Sequence, residues 1–304
     1  MLATLSSSDQ IEHQFVTLTQ LEELNNVFIS ISLCTIIYTW SLSRKVRNKL
    51  IHIKFGNHNP HIKVASLNIG GFAAPTKWLA IKQMDFDVVA LCEAHPQDHV
   101  QHLLYLQFPD HHVVHSPGSA DKHFSGVSFL IKKSICWAHQ SLQWSPDHPC
   151  FKFAQDNRLL GLRLWLGDGK QCLFIYNLYL PSGARWESPK KKYAHDCLNA
   201  VQQDLCERGD VVALVLGDFN LTIEDSTLLQ SWQGPMVDTS CTAPADIRWN
   251  PTCHQGKGSC IDHIFAYKSS IDLVHNYQIS RTLCSTNHAM ISIHLTVPKN
   301  CANT

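Results

Sequence analysis

The sequence carries no excess charge: 25 lysines and arginines are matched by 25 aspartates and glutamates over 304 residues. That balance excludes bulk electrostatic attraction to a polyanion, so an anionic substrate has to be drawn in by a local patch. The chain also lacks any Cys-x-x-Cys pair, although it holds 12 cysteines. They are scattered, several inside apolar runs, which is the pattern of free buried thiols in a reducing compartment. An intracellular location, nuclear or cytoplasmic, is the expectation. Cys253, His254, Cys260 and His263 can be drawn as a zinc site, but their spacing matches no finger or ribbon. Finally, there is no apolar run of the roughly 20 residues that a spanning helix needs. The nearest approach is VFISISLCTIIYTWSL at 27–42, 16 residues without a charge but diluted by serine and threonine. Its basic flank, Arg44 to Lys49, follows the run instead of preceding it, unlike a secretory signal. If the segment were a membrane anchor, that flank would hold the rest of the chain in the cytosol. The alternative is a helix, a strand or a leader without membrane function. Residues 1–60 are therefore read as a leader and 61–298 as one globular domain, for which 44% hydrophobic content supplies a core.

From Ile62 onward the pattern is regular. IKVASLNI (62–69) reads as a strand ending in Asn68, after which Gly70-Gly71 allows a sharp turn. A short helix follows near 76–84. FDVVALCE (86–93) is a buried strand with Glu93 at its end, and a helix is expected from Pro96 to about Gln107. A strand near Val113 and another at 126–133 come next. RLLGLRLWL (158–166) and QCLFIYNLYL (171–180) flank Gly167-Asp168-Gly169, a hairpin signal, and the second carries Asn177 and Tyr179 on one face. Arg185, Trp186 and Lys190 to Lys192 lead into a helix through Cys206; the lysines with Trp186 suit a phosphate backbone and a stacked base, or simply a solvated helix face. VVALVLGDFN (211–220) is a buried apolar strand delivering Asp218 and Asn220 at its end. CIDHIFAY (260–267) begins with Asp262, and STNHAMISIHL (285–295) places Asn287 and His288 before the last strand. Strands outnumber helices and several form hairpins, so the fold class is α/β, a mixed-sheet sandwich flanked by helices, not a doubly wound parallel sheet.

Asn68, Glu93, Tyr179, Asp218, Asn220, Asp262 and His288 are dispersed in sequence yet all stand at strand ends, and convergence explains this economically. Carboxylates and amide oxygens suit a hard cation such as Mg²⁺ or Mn²⁺, and a nearby His and Asp suit proton transfer. Hydrolysis of a phosphodiester requires those parts: an activated water, neutralised phosphoryl charge and a stabilised leaving oxygen. Asn220-Leu221-Thr222 is also a glycosylation sequon, and its position at the suspected site argues against secretion.

In order, LNIGG (67–71), LCE (91–93), GVSFL (126–130), Asn157-Arg158-Leu159, NLYLPS (177–182), GDFN (217–220), SCIDHIF (259–265) and TNHAM (286–290) resemble the endonuclease/exonuclease/phosphatase superfamily. The resemblance covers about Ile62 to Leu295 and implies a four-layer α/β/β/α sandwich of two mixed β-sheets flanked by helices. It implies that Asn68 and Glu93 hold the divalent metal, Mg²⁺ or Mn²⁺, and that Asp218 aligns or deprotonates the attacking water. Asn220 would bind the phosphate, Tyr179 would contact the phosphate or leaving group, and His288 would act as acid/base with Asp262 fixing its tautomer. Arg158 and Asn177 are expected as supporting, substrate-side residues. Tyr179 in Asn-x-Tyr-x-Pro resembles the abasic-site endonucleases and the endonuclease domain of non-LTR retrotransposons, which makes DNA the expected substrate. A phosphatase acting on a small molecule or lipid, and a nucleic-acid-binding relic, are the alternatives. One departure stands out. The family usually has Ser-Asp-His where this chain has Thr286-Asn287-His288, which removes a negative charge and leaves Asn287 as a weak metal ligand at most.

Overall fold

The computed structural model describes residues 61–71, 74–95, 104–116, 126–166, 171–224, 226–232, 234–248, 250–281 and 286–296. The apolar run at 27–42 lies outside the described residues, as do Pro96 and the glycines of the 167–169 turn. No described helix is long and apolar enough to cross a membrane.

Among the described residues, twelve strands form two six-stranded sheets. The first sheet holds β1 (His61–Asn68), β2 (Val88–Cys92), β3 (His111–His115), β4 (Val127–Lys132), β11 (Val274–Ser280) and β12 (Met290–Thr296), in the order β11-β12-β1-β2-β4-β3. The second holds β5 (Cys136–Ser141), β6 (Leu159–Leu166), β7 (Gln171–Tyr179), β8 (Val212–Asp218), β9 (Met236–Asp238) and β10 (Asp262–Tyr267), in the order β5-β6-β7-β8-β10-β9. Each sheet has one parallel pair at its centre, β1 with β2 and β7 with β8, among antiparallel neighbours. Central parallel strands are covered on both faces, which is why VVALC in β2 is buried throughout and the apolar run of β8 is buried after Val212.

Three apolar clusters define the layers. The inner faces of both sheets meet in one, with Val64, Ala90 and Phe129 from the first sheet and Leu162, Ile175 and Leu214 from the second. A second lies between the other sheet's outer face and α3 (Ser188–Arg208), whose buried Ala194, Cys197, Leu198, Val201 and Leu205 recur at helical spacing. A third packs α1 (Pro75–Gln83) and a helical turn at 104–107 against the first sheet through Ala80, Ile81, Leu104 and Phe108. Helix, sheet, sheet and helix are the four layers expected. The hairpin also forms, with Leu166 opposite Gln171.

Three strands and a helix had no clear sequence signal. β9 is three residues long, β5 and β11 lie at sheet edges, and β11 is bulged between His275 and Gln278, which breaks the alternation by which strands are read. Helix α2 (Phe151–Gln155) is a single turn and change. Two further short helices, α4 (Thr227–Trp232) and α5 (Ala245–Arg248), lie in the connection between β8 and β10.

Candidate active site

Because β1 runs parallel to β2 and β7 parallel to β8, Asn68, Glu93, Tyr179 and Asp218 leave the two sheets at one end of the sandwich. The antiparallel strands deliver their beginnings to that same end. Asp262 opens β10 directly opposite Asp218, and His288 precedes β12, which pairs antiparallel with β1. Topology alone thus converts scattered residues into a cluster.

Asp218 is the centre of it, 2% exposed. Asn68 Nδ2 donates to its Oδ2 at 2.9 Å, bridging the two sheets, and the Asn220 backbone N–H donates to its Oδ1 at 2.9 Å. Asn68 is itself fixed: its Oδ1 accepts from Gly70 N–H at 3.0 Å, and its carbonyl accepts from the Thr286 hydroxyl at 2.8 Å. Burial pushes the Asp218 carboxyl above the usual carboxylate range, and the facing Asp262 charge adds to that push. On the other side, His288 Nδ1 lies 2.9 Å from Asp262 Oδ2 and its Nε2 lies 3.9 Å from Asp218 Oδ2. Burial by itself would depress the imidazole, but the hydrogen bond and charge of Asp262 outweigh it and hold His288 up at about 9. At neutral pH the ring is therefore an imidazolium, its Nε2–H turned towards Asp218.

Tyr179 donates its hydroxyl to Glu93 Oε1. Burial and that carboxylate raise the phenol far above its ordinary value, so it stays protonated, with its one proton directed at Glu93. The Arg158 guanidinium stacks 4.4 Å from the Tyr179 ring centroid and donates to the Tyr179 carbonyl at 3.3 Å. Asn220 donates Nδ2 to the Leu180 carbonyl at 2.8 Å. Glu93 and Asn220 both sit at positive φ, 51° and 49°, a region that non-glycine residues enter mainly where surrounding structure enforces it.

The predicted residues do not all face the open end. Asn177 is fully buried, and its Nδ2 donates to the Leu91 and Ser128 carbonyls at 3.0 and 3.1 Å. It pins one sheet to the other beneath the site, and its side chain is occupied there, away from any substrate. Asn287 is exposed, with its carbonyl accepting from His254 N–H at 2.8 Å.

Three contributors carried no sequence signal. Lys77, 8% exposed on α1, donates to the carbonyls of Ile69, Gly70 and Gly71 and so closes the turn that follows Asn68. Cys92 lies under Asp218, whose N–H points at its sulfur at 3.4 Å, while the thiol donates to the Leu178 carbonyl at 3.2 Å. Thr252 accepts from the N–H groups of Ile261 and Asp262, both at 3.0 Å, and so sets the start of β10. A lone lysine, cysteine or threonine in a single sequence looks like any other; only the fold shows what each one touches.

The donor set fits a hard divalent cation. The Asn68 amide and the Glu93, Asp218 and Asp262 carboxylates are hard oxygen donors, and Asp262 Oδ1 is buried without a hydrogen-bond partner among the described residues; His288, whose ring nitrogen lies within 4.8 Å of the Asp218 and Asp262 oxygens, would be a ligand only after losing its proton. The Cys253, His254, Cys260 and His263 arrangement does not form a comparable group. Buried His263 faces Asp238 and the Leu221 carbonyl, and Cys260 sulfur points at the Asn250 carbonyl. The described cysteines from Cys92 to Cys260 whose side chains are placed are free thiols.

Fold and site together define the class, a four-layer sandwich of the phosphodiesterase, nuclease and phosphatase kind. Residues 65–280 match the model of the Endonuclease/Exonuclease/phosphatase family, and the chain belongs to that family. Its members are metal-dependent hydrolases of phosphate esters. The match contains Asn68, Glu93, Tyr179, Asp218, Asn220 and Asp262, while His288 falls just beyond it. Among solved structures, the chain is similar to the catalytic domain of Xenopus laevis APE2, with a TM-score of 0.62 at 16% identity over 79% of this chain and 95% of that one. The endonuclease domain of TRAS1, a telomere-specific non-LTR retrotransposon, gives 0.57 at 15% identity over 79% of this chain and 100% of that one. NExo, a 3′ phosphatase from Neisseria bound to product DNA hairpin, gives 0.60 at 16% identity over 77% and 99%. A comparison with curated protein sequences finds no match.

Proposed function

We propose that this chain is a Mg²⁺- or Mn²⁺-dependent DNA endonuclease of the abasic-endonuclease or retrotransposon type, working inside the cell, with its catalytic domain at 61–298. The observation that carries this reading is the pairing of Tyr179 with Glu93 beside an Asp218 clamped by Asn68 and faced by His288. Tyrosine at that position is the mark by which the sequence resembles the abasic-site branch.

Asn68 and Glu93 would hold the cation, with exposed Asn287 a weak further ligand at most. When bound, the ion supplies Lewis-acid neutralisation of phosphoryl charge. The remaining work belongs to side chains. Asp218, oriented by hydrogen bonds to both oxygens, aligns the attacking water and accepts its proton. His288, charged and oriented by Asp262, presents Nε2–H to a phosphoryl oxygen. With Glu93 taken up in holding the cation, the Tyr179 hydroxyl would turn its single proton from Glu93 towards the leaving oxygen, with Arg158 stacked behind it to hold the ring in place. Asn220 retains one amide N–H for phosphate beside the one bonded to Leu180.

Nicking of supercoiled plasmid and of an abasic-site duplex, with Mg²⁺ or Mn²⁺, tests the proposal. The native chain should cut and the Asp218→Ala chain should be slower by about 10²–10⁴-fold. Equal rates from the two chains would sink it, and turnover of phosphoinositides in preference to DNA would redirect it to the phosphatase reading.

A further inference from the structure

Trp186 is 76% exposed, the most exposed large apolar side chain among the described residues. Leu79, Tyr105 and Leu106, the other exposed ones, belong to α1 and the 104–107 turn, on the opposite outer layer. Trp186 instead stands in the connection from β7 to α3, which leaves the second sheet at the end where Tyr179 enters the site.

The indole is held out on a fixed turn. Gly183 has φ +82°, and its carbonyl accepts from Trp186 N–H at 3.0 Å and Glu187 N–H at 2.9 Å. Ala184, fully buried, anchors the turn in the cluster beneath α3. Lys190 closes it from the helix with a 2.8 Å bond to Glu187. The guanidinium of Arg185 lies 4.2 Å from the Trp186 ring centroid, covering one face of the indole and leaving the other to solvent. Lys191 and Lys192 follow on the first turn of α3, Lys192 beside Asp196 at 3.3 Å.

An aromatic ring backed by a cation and fixed in water, beside a site for phosphate esters, matches one ligand chemistry: a nucleobase with a free π-face and a phosphate attached. The geometry points to Arg185 and Trp186 as a stacking platform for an unstacked base flanking the scissile phosphate. This rests on the nuclease reading and narrows its substrate. A base inside intact duplex has both faces covered, so the platform favours single strands, frayed ends and strands interrupted by a gap or a missing base.

The test is binding of a fluorescently labelled single-stranded oligonucleotide and of its duplex, by anisotropy, to the full chain in an Asp218→Asn background that does not cleave. Trp186→Ala should weaken single-strand binding by about ten- to hundredfold and duplex binding much less. Trp186→Phe should restore most of the loss, which a purely structural defect would not allow. Equal single-strand affinity for native and Trp186→Ala chains overturns the platform. The two readings fail separately. If the native chain cuts DNA but binding ignores Trp186, the platform is wrong and the nuclease stands; if binding depends on Trp186 but nothing is cut, the reverse holds.

Discussion

Asp262 and His288 come from the two different sheets of the sandwich and meet at 2.9 Å, Oδ2 to Nδ1, with both side chains largely shielded from water. Burial would otherwise discharge the ring, so Asp262 decides its protonation state.

A group held at about 9 is charged below that pH, so activity that needs the imidazolium is lost as pH rises through about 9. In Asp262→Asn the largest raising influence is gone while burial remains, and with only the Asp218 and Glu93 charges left to oppose burial the alkaline limb should move down from about 9. At pH 7.5 kcat should fall by about 10²-fold or more. Steady-state rates across pH check it; an unmoved alkaline limb would show that His288 does not act as the charged donor.

Restoring a carboxylate at the departure from the family pattern should help modestly. Asn287 is exposed, so Asn287→Asp adds a screened charge, with an expected gain of about two- to fivefold in rate at limiting Mg²⁺. Titrating the metal against nicking rate measures it. A loss of activity instead would mean that Asn287 contributes through its amide.

Gly217 is the most closely crowded of the described glycines in the second sheet. It has φ +137°, and a Cβ there would meet the Leu178 carbonyl oxygen at 2.0 Å. That oxygen belongs to the parallel partner strand, so it has no room to move without breaking the pairing that aims Asp218. Gly217→Ala should therefore cost about 2–4 kcal/mol and misplace Asp218 as well. Thermal unfolding gives the first effect and metal-dependent nicking the second.

The buried pair Asp238 and His263, 3.5 Å apart, makes stability depend on pH. For Asp238, burial is outweighed by the His263 hydrogen bond and charge, and its carboxyl is lowered from 3.8; its contribution is present above that value and lost as pH falls through the folded one. For His263, burial is outweighed by Asp238, and the ring is raised from 6.5; its contribution is complete below that value and lost as pH rises through the folded one. The pair therefore stabilises most between those limits. Asp238→Asn should cost about 1.5–3 kcal/mol near pH 5.5 and less near pH 9. Urea midpoints at both values decide it, and a gap that does not shrink at the higher pH counts against the ion pair.

Much of this fold was legible. The apolar runs of β1, β2, β7 and β8 are what strands covered on both faces look like, and each ends in a polar residue that the structure places at the site. Edge strands β5, β9 and β11 were not: β9 is three residues long, and β5 and β11 pair irregularly with their single neighbours, so there is no strict alternation to read. Asn177 shows a different limit. Its period-two relation to Tyr179 is real, yet Asn177 lies one pleat deeper, where its amide meets the carbonyls of the opposite sheet instead of solvent.

The sequence by itself determined which residues end strands, because the spacing of apolar and polar side chains along one chain is a local property. Only the tertiary structure decided which ends meet. Asn68 reaches Asp218 across 150 positions, Lys77 closes the turn behind Asn68, and Asp262 charges His288, since strand order and register bring distant backbone ends to one place. The ionisation of the site was likewise set there, because it depends on burial and on neighbouring charge, and neither exists until the two sheets have packed.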